Sequence, residues 1–239
     1  MDYYHGDNAG NNGDIFKHSV LRFYIESYPT FHFYDLNAGY GRYKLDAERV
    51  LNLTSKLYRV KSEFVVSIPF LDRTLLFLNR GEYPGGLFYL KSNTFYTAFE
   101  LDSNAYPSLQ RCIQEANLFR GDLYPDNRVF FSLYADTNSL VFSDAPFVNA
   151  EDDSQFNLRL MNKLDAEGID YLVWYPRFRN KTLLEEQSGG HKIEVSWTAD
   201  LSKNMYGAGM LMKYRLTANQ LNTLSRIWSV FNIHVDSIT

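Results

Sequence analysis

The chain has 239 residues, of which 45% are hydrophobic and 16% aromatic, enough for a substantial core in one domain with an insertion or in two small domains. Its formal net charge of −4 argues against a protein that coats nucleic acid nonspecifically, because such proteins are usually basic. The single cysteine, Cys112, excludes an internal disulfide and a cysteine-cluster metal site, and no bound metal is expected.

The chain starts with the polar and acidic stretch "MDYYHGDNAGNNGD", which does not resemble a signal peptide. No window approaches the length of uninterrupted apolar sequence that a membrane-spanning helix needs. We therefore expect a cytoplasmic protein that does not associate with a membrane and acts as a monomer.

The first half of the chain alternates helical and extended patterns. Apolar residues at helical spacing after Asp14 predict a helix over 14–28, and the aromatic run that follows predicts a strand over 30–36. The turn "NAGYGRY" leads into a helical pattern over 44–81, which "EYPGG" breaks. A strand is predicted over 94–102, followed by a helix from about 105 to 118.

The second half continues in the same way. The aromatic and β-branched runs "RVFFSLYAD" and "SLVFSD" predict strands over 128–136 and 139–144, and a helix is predicted over 156–168. "IDYLVWYP", "KIEVSWTA" and "GAGMLMKYRL" are predicted strands, "TLLEEQSG" a short helix and "TANQLNTLSRIWSVF" a longer helix. Strands that alternate with helices indicate an α/β fold with a mostly parallel, doubly wound sheet.

Four acidic residues stand at the ends of predicted strands: Asp35, Glu100, Asp136 and Asp144. Ligands of such sheets bind beyond the carboxyl ends of the strands, so these ends are where a site is expected. A single acid at a strand end is more often just solvated, but four in succession favour a function.

The glycines of "YDLNAGYGRY" allow a tight turn that approaches a ligand, although one such turn is weak evidence. An acid that binds ribose hydroxyls usually follows the glycine turn by about 20 residues. Glu100 follows Gly41 by 59 positions, and the excess matches the helical stretch 44–81. We therefore predict an inserted helical subdomain at 44–81 in a domain made of 1–43 and 82–239.

Together these features fit a Rossmann-like S-adenosylmethionine-dependent methyltransferase fold. Gly39 and its turn would bind the methionine part of the cofactor, Glu100 the ribose and Asp136 the adenine. Asp144 would stand at the reacting centre.

The sequence resembles the RlmJ/YhiR-type 23S ribosomal RNA adenine-N6 methyltransferase family. The similarity is densest in "YYHGDNAGNNGDIFKHSVLRFYIES", and it continues in order through "YDLNAGYGRYKL", "EYPGG", "FELD", "YAD", "SDAPF", "VWYP" and "MYGAGM". The resemblance implies a Rossmann-like domain with a small helical insertion, S-adenosyl-L-methionine as cofactor, 23S ribosomal RNA as the RNA partner and a role in rRNA processing.

By position, the resemblance also assigns residues. The implied catalytic residues are Asp144 and Lys17. Those implied to bind the cofactor are His18, Asn37, Gly86, Glu100, Asp136, Thr137 and Asp144. On the substrate side, Tyr3 and His5 are implied together with Lys17 and the motif residues Ala145, Pro146 and Phe147.

The stretch "DAPF", 144–147, stands where the family has the motif (D/N)-P-P-(Y/F). The Asp144 carboxylate and the Ala145 carbonyl would accept the two hydrogens of the adenine amino group. Phe147 would stack on the base once it has left its own stack.

The interval from Asp136 to Asp144 is only eight positions. Two strands this close in sequence cannot be joined by a parallel crossover, which needs a dozen or more residues. Either the adenine role of Asp136 is wrong or this edge of the sheet is remodelled.

Two other functions remain open at this point. A divergent, non-catalytic relative that binds nucleic acid or a protein partner would also fit "DAPF" and the acidic charge. A DNA adenine methyltransferase would fit as well, because nothing in the sequence reads a 2′-hydroxyl.

Overall fold

The computed structural model of the protein describes residues 9–28, 31–133, 135–145, 150–179, 190–197 and 205–239. Within these ranges an eight-stranded sheet has the order β10-β8-β9-β7-β6-β1-β4-β5. Its strands are β1 (His32–Asp35), β4 (Phe95–Phe99), β5 (Phe119–Tyr124), β6 (Ser139–Ser143), β7 (Asp170–Phe178), β8 (His191–Trp197), β9 (Met205–Met212) and β10 (Ile233–Ile238). A separate antiparallel pair consists of β2 (Arg42–Lys44) and β3 (Glu82–Pro84).

The half of the sheet that contains β5, β4, β1, β6 and β7 is parallel throughout, whereas β9, β8 and β10 add three antiparallel pairings. β6 is buried along its whole length, as expected for a central parallel strand covered on both faces. The predicted mixed α/β class with a mainly parallel, Rossmann-like sheet is confirmed.

Helices cover both faces of this sheet. They are α1 (Asn12–Ser27), α2 (Ala47–Ser62), α3 (Pro69–Leu78), α4 (Tyr106–Glu115), α5 (Ala150–Glu167) and α6 (Ala218–Val230). Buried side chains of α1, α2, α3, α4 and α6 share one hydrophobic core, and those of α5 belong to a second core on the other face. No helix in the part of the chain that the structure describes is long and apolar enough to cross a membrane.

α1 begins at Asn12, two residues before the predicted start, because the Asn11 side chain accepts a hydrogen bond from the Asp14 amide at 3.0 Å and caps the helix, which makes Asp14 a first-turn acid. It is tied to α6 along its length. Trp228 Nε1 donates to Ser19 Oγ at 2.9 Å, and Gln220 Nε2 donates to the Phe23 carbonyl at 2.8 Å. α1 and α6 therefore support each other.

The helices expected within 44–81 are α2 and α3, and the β2–β3 pair closes the segment that carries them. Leu53, Leu57 and Phe70 are buried in the same core as α1. The division of the chain into a domain and an inserted subdomain stays a prediction.

The strand prediction for 128–136 is wrong. Residues Asn127–Ser132 form a 3₁₀ helix, and the strand of this region is the earlier segment β5. Phe130 of the 3₁₀ helix is fully buried against Tyr34 and Phe99, so its aromatic character reflects core packing and not a strand. β10 was not predicted, and the helix predicted at "TLLEEQSG" lies outside the described residues.

Candidate functional site

Three of the four predicted strand-end acids lie at one edge of the sheet. Asp35 is the last residue of β1, Glu100 follows β4 and Asp144 follows β6. Because these strands are parallel neighbours, their carboxyl ends meet at the same edge. The structure therefore brings the three acids together as predicted.

A cavity of about 230 Å³ lies between this edge and the start of α1. Its wall has residues from α1, from the carboxyl ends of β1 and β6 and from the turn after β3, and apolar residues from β7 and β9. The residues that line it include Asp14, Lys17, His18, Asp35, Asn37, Gly85, Gly86, Asp144, Ala145, Trp174, Pro176, Phe178 and Met205.

Lys17 links α1 to the end of β6. Its ammonium group lies 2.7 Å from the Asp14 carboxylate and also donates a short hydrogen bond to Asp144 Oδ2. All three side chains are at most 18% exposed, so water screens the charges little. The cluster fixes the Asp144 carboxylate at the cavity wall.

Burial raises the pKa of Asp144 to about 6, and the neighbouring Lys17 only partly offsets this effect. For Lys17, burial alone would lower the pKa, but the Asp14 and Asp144 carboxylates outweigh it and raise the pKa. Near neutral pH the cluster therefore contains an ammonium and two carboxylates, and Asp144 can accept hydrogen bonds.

His18 is 4% exposed and lies against the rings of Tyr83 and Tyr89, with its Nδ1 at 3.3 Å from the Tyr83 hydroxyl. Burial, helped by the positive charge of Lys17, lowers the pKa of His18 to about 3. This histidine is neutral, and it reaches the cavity as a packed ring that can offer a hydrogen bond but no charge.

Asp35 is 3% exposed and accepts a hydrogen bond from the Tyr96 hydroxyl at 2.8 Å. Burial raises the pKa of its carboxyl group to about 7, against the opposing effect of the Tyr96 hydrogen bond. Asp35 thus brings to the cavity a carboxyl group that changes its protonation state near neutral pH.

The glycine turn after β1 is hydrogen-bonded to the turn after β3. The Gly85 amide donates to the Gly41 carbonyl at 2.8 Å, and a Cβ on Gly85 would lie 2.6 Å from that oxygen. Only glycine permits this approach at Gly85. A Cβ on Gly86 would be in ordinary van der Waals contact, at 3.6 Å from the nearest atom, and Gly86 itself lines the cavity.

Asn37, directly after the end of β1, has a buried amide oxygen, Oδ1, that accepts no hydrogen bond from the described residues. A buried acceptor without a donor costs free energy, about 1–3 kcal/mol in mutational data. An orphaned acceptor in a cavity wall suits a ligand that brings a donor.

Glu100 uses both carboxylate oxygens to hold the surrounding turns. Oε2 accepts from the Gly39 amide at 2.7 Å, and Oε1 accepts from the Asp102 amide at 2.8 Å. Each oxygen retains capacity for a further hydrogen bond from a ligand. Glu100 lies at the same edge but does not line the cavity itself.

The prediction that Asp136 ends a strand is wrong. Asp136 precedes β6, and its carboxylate accepts from the Asn138 amide at 2.8 Å in the turn that starts this strand. Asp136 and Thr137 are exposed at the amino end of β6, opposite Asp144. This position removes the basis for assigning Asp136 and Thr137 to the cofactor adenine. The interval from Asp136 to Asp144 is short because the two residues flank one and the same strand, β6.

The acid that does follow the carboxyl end of β5 is Asp126, which the sequence analysis missed. The Glu100 amide donates to the Tyr124 carbonyl at 2.9 Å, so the end of β5 lies beside Glu100. Asp126 is partly exposed and accepts hydrogen bonds from the Arg128 amide and side chain. The turn sequence "YPDN" is the signal that marks this strand end.

Of the substrate-side residues, Ala145 is buried directly after Asp144 and lines the cavity. Tyr3, His5, Pro146 and Phe147 lie outside the described residues. Among the residues that are described, no group of three or more His, Cys, Asp or Glu side chains is arranged to hold a metal ion.

No family model matches the sequence, and no curated protein matches it. Among solved structures, protein LPL1258 from Legionella pneumophila strain Philadelphia 1, described with the family model DUF519, is similar over 97% of both chains. The TM-score is 0.73 at 18% sequence identity. A likeness at this identity shows a shared fold over nearly the whole chain.

Two further solved structures have lower TM-scores. M. jannaschii TYW2 in complex with AdoMet reaches 0.41 at 13% identity, over 83% of this chain and 74% of that chain. The METTL16 MTase domain reaches 0.42 at 11% identity, over 84% and 67%. Structural similarity at TM-scores this low supports no statement about function.

Proposed function

We propose that the chain is an S-adenosylmethionine-dependent methyltransferase that modifies the N6 amino group of adenine in RNA, with 23S ribosomal RNA as the target. The observation that carries the proposal is the buried Asp144 carboxylate, held by Lys17 in a cavity at the carboxyl edge of a Rossmann-like sheet. The antiparallel strand β9, placed beside the last parallel strand β7, also suits a methyltransferase sheet.

The residues at this edge fit the cofactor. The orphaned Asn37 Oδ1 suits the α-ammonium group of the methionine part, and Gly86, which lines the cavity without a side chain, leaves room for that part of the molecule. Glu100 would accept hydrogen bonds from the ribose hydroxyls. Asp126, at the end of β5, replaces Asp136 as our candidate for the adenine edge. Bound S-adenosylmethionine supplies an electrophilic methyl group on a sulfonium centre.

Asp144 and the Ala145 carbonyl would orient the target amino group. The nitrogen of adenine N6 is a poor nucleophile, because its lone pair is delocalised into the ring. Two acceptors for its two hydrogens favour a pyramidal nitrogen and stabilise the positive charge that grows as the new carbon–nitrogen bond forms. Transfer would break the methyl–sulfur bond and leave the thioether S-adenosylhomocysteine, and the methylated nitrogen would lose one proton to water.

Lys17 would act through Asp144, and it would also lie on the substrate side of the cavity. Its ammonium group keeps the carboxylate ionised and fixed while the cavity is free of substrate. Desolvated charges of this kind need a partner, since an unpaired buried carboxylate would take up a proton.

Adenine within RNA has to leave its stack to reach the cavity, which favours single-stranded or loop RNA over a duplex. The choice of 23S ribosomal RNA rests on the resemblance of the N-terminal block that contains Lys17 and His18 to the RlmJ-type family.

Transfer of tritium from S-adenosylmethionine to unmodified ribosomal RNA tests the proposal. We expect incorporation with the wild type and its loss with Asp144→Ala. Calorimetric titration with S-adenosylhomocysteine shows whether the variant still binds the cofactor product. Equal incorporation by the two proteins would exclude the proposed role of Asp144.

The same assay separates the alternatives. A wild type that neither binds S-adenosylhomocysteine nor transfers tritium would be the non-catalytic relative that binds nucleic acid or a protein. Faster transfer to single-stranded DNA than to RNA of the same sequence would favour the DNA enzyme.

A further inference from the structure

We propose that the β7 side of the cavity is a stacking wall for two consecutive bases of the substrate, with the target base at Trp174 and its neighbour at Phe178. This inference rests on the proposed function, and it assigns the part of the site that reads an unstacked strand.

The wall follows from the alternation of side chains along a strand. Trp174, Pro176 and Phe178 occupy alternate positions of β7, so they face the same side of the sheet, and all three line the cavity. Met205 of β9 is paired with Phe178 and also lines it. The result is a continuous apolar stripe with an aromatic ring at each end.

The stripe is separate from the residues assigned to the cofactor. Asn37 and Gly86 come from the regions that follow β1 and β3, whereas the stripe comes from β7 and β9, on the other side of β6. Asp144, at the end of β6, lies between them. A base on the stripe would therefore approach the carboxylate from the side opposite the cofactor.

Trp174, at the inner end of the stripe, lies beside Lys17 and thus near Asp144, the proposed reacting centre. Lys17 Nζ is 5.8 Å from the centre of the Trp174 ring and donates to Asp144. A planar group packed on Trp174 thus lies near the carboxylate that is to hold its amino group. An aromatic π face also attracts the positive charge that develops on that nitrogen.

Phe178, at the outer end of the stripe, is too far from Trp174 to contact the same base. Four residues of parallel strand span about 13 Å, at about 3.3 Å per residue, whereas stacked bases are about 3.4 Å apart. Phe178 lines the cavity, is half-buried and precedes the exposed Arg179. An adjacent base that is splayed from the target would reach Phe178, which is the arrangement in which single strands are read.

The experiment compares two probes, adenosine monophosphate and a short single-stranded RNA that contains one adenine, both with S-adenosylhomocysteine present. Trp174→Leu, which keeps apolar volume without an aromatic face, is expected to weaken binding of both probes by about tenfold. Trp174→Phe should restore most of the affinity. Phe178→Leu should weaken the RNA by about tenfold and leave the mononucleotide unchanged.

Tryptophan fluorescence provides a readout that a merely structural role would not change. A base that stacks on Trp174 should quench part of the wild-type emission, and this quenching should disappear in Trp174→Phe although the probe still binds. The matched control is Phe119→Ala. Phe119 is an aromatic residue, 48% exposed, at the start of β5 and thus at the opposite edge of the sheet, so its variant should bind both probes normally.

The outcomes distinguish this inference from the function on which it rests. Normal RNA affinity in Trp174→Leu and Phe178→Leu, with normal methyl transfer, would overturn the stacking wall alone. Equal loss of both probes in Phe178→Leu would overturn the two-base arrangement. If the wild type binds no S-adenosylhomocysteine and transfers no methyl group, the proposed function fails and the wall fails with it.

Discussion

β6 has an aspartate at each end, and the two aspartates have opposite surroundings. Asp144, at the carboxyl end, is largely buried, paired with Lys17 and part of the cavity wall. Asp136, at the amino end, is exposed and accepts hydrogen bonds within its own turn. The same residue type next to the same strand is thus a candidate for catalysis at one end and a turn-forming residue at the other, and strand direction decides which.

The largest expected difference between the two ends is in activity. Asp144→Ala should lower the rate of methyl transfer about 100-fold or more, because a preorganised group at a developing charge typically contributes that much. Asp136→Ala should keep a rate near that of the wild type. Single-turnover assays with saturating RNA measure both, and a similar loss in the two variants would mean that strand direction does not separate their roles.

Cofactor affinity extends the comparison to Asp126, which follows β5 on the far side of β1 and β4. Asp126→Ala should weaken S-adenosylhomocysteine binding about tenfold if Asp126 accepts a hydrogen bond from the cofactor adenine, since one such bond to a charged group contributes about 1.5 kcal/mol or more. Calorimetry on this variant and on Asp136→Ala tests the replacement of one candidate by the other. Tighter binding by the Asp126 variant than by the Asp136 variant would restore the original assignment.

The dependence of the rate on pH should reflect the pKa of Asp144, the aspartate at the carboxyl end of β6. Burial raises the pKa of Asp144 to about 6, so the carboxylate is ionised above that pH and becomes protonated below it. We expect kcat/KM to fall about tenfold per pH unit below about 6, because a protonated carboxyl group accepts the amino hydrogen less well. Rates measured between pH 5 and pH 8 check this expectation, and a profile flat down to pH 5 would contradict it.

A smaller effect, on stability, contrasts Asp35 with Asp136. The folded-state pKa of Asp35, about 7, lies above the ordinary value of 3.8, so the folded state binds the proton more tightly than the unfolded state. The free energy of unfolding should therefore decrease as pH rises from about 4 to about 7, by on the order of 4 kcal/mol in total.

Asp35→Asn keeps an acceptor for Tyr96 and removes the buried charge. It should raise the melting temperature at pH 8 and much less at pH 5, where wild-type Asp35 is mostly protonated. Asp136→Asn, at an exposed position, should leave the melting temperature unchanged at both pH values. Calorimetric scans at the two pH values measure these shifts, and a lower melting temperature of Asp35→Asn at pH 8 would refute the expected cost of the buried charge.

The sequence predicted the elements whose patterns are set by burial. α1 has an N-cap and an apolar stripe, and the central strands β1, β4 and β6 are short apolar runs, so residue type alone places them. The acids that directly follow two of these strands, Glu100 and Asp144, were therefore found.

The outermost parallel strand of the sheet, β5, was not predictable in the same way. Among the described strands β5 pairs with β4 alone, and its residues are exposed or half-buried, so "FRGDLY" lacks the alternation that marks a strand. The aromatic run that follows does look like a strand, but its buried Phe130 packs from a 3₁₀ helix. Asn117, with φ of 54°, ends the preceding helix region, and an Asn just after a helix is a local sequence sign that a new element can follow.

The site itself depends on contacts between residues far apart in sequence. Lys17 and Asp144 are 127 positions apart, and no local pattern indicates that they pair. Their pairing follows only once α1 is packed over the carboxyl end of β6.

The attachment of α1 to α6 has a consequence for the order in which the protein forms. Ser19 and Phe23 receive their hydrogen bonds from Trp228 and Gln220, about 200 positions later in the chain. Contacts of such long sequence separation form slowly, since a large loop has to close first. During synthesis α1 lacks these contacts until residues 218–230 have left the ribosome, so the helix that carries Lys17 gains full support, and the protein a competent site, only after α6 has emerged.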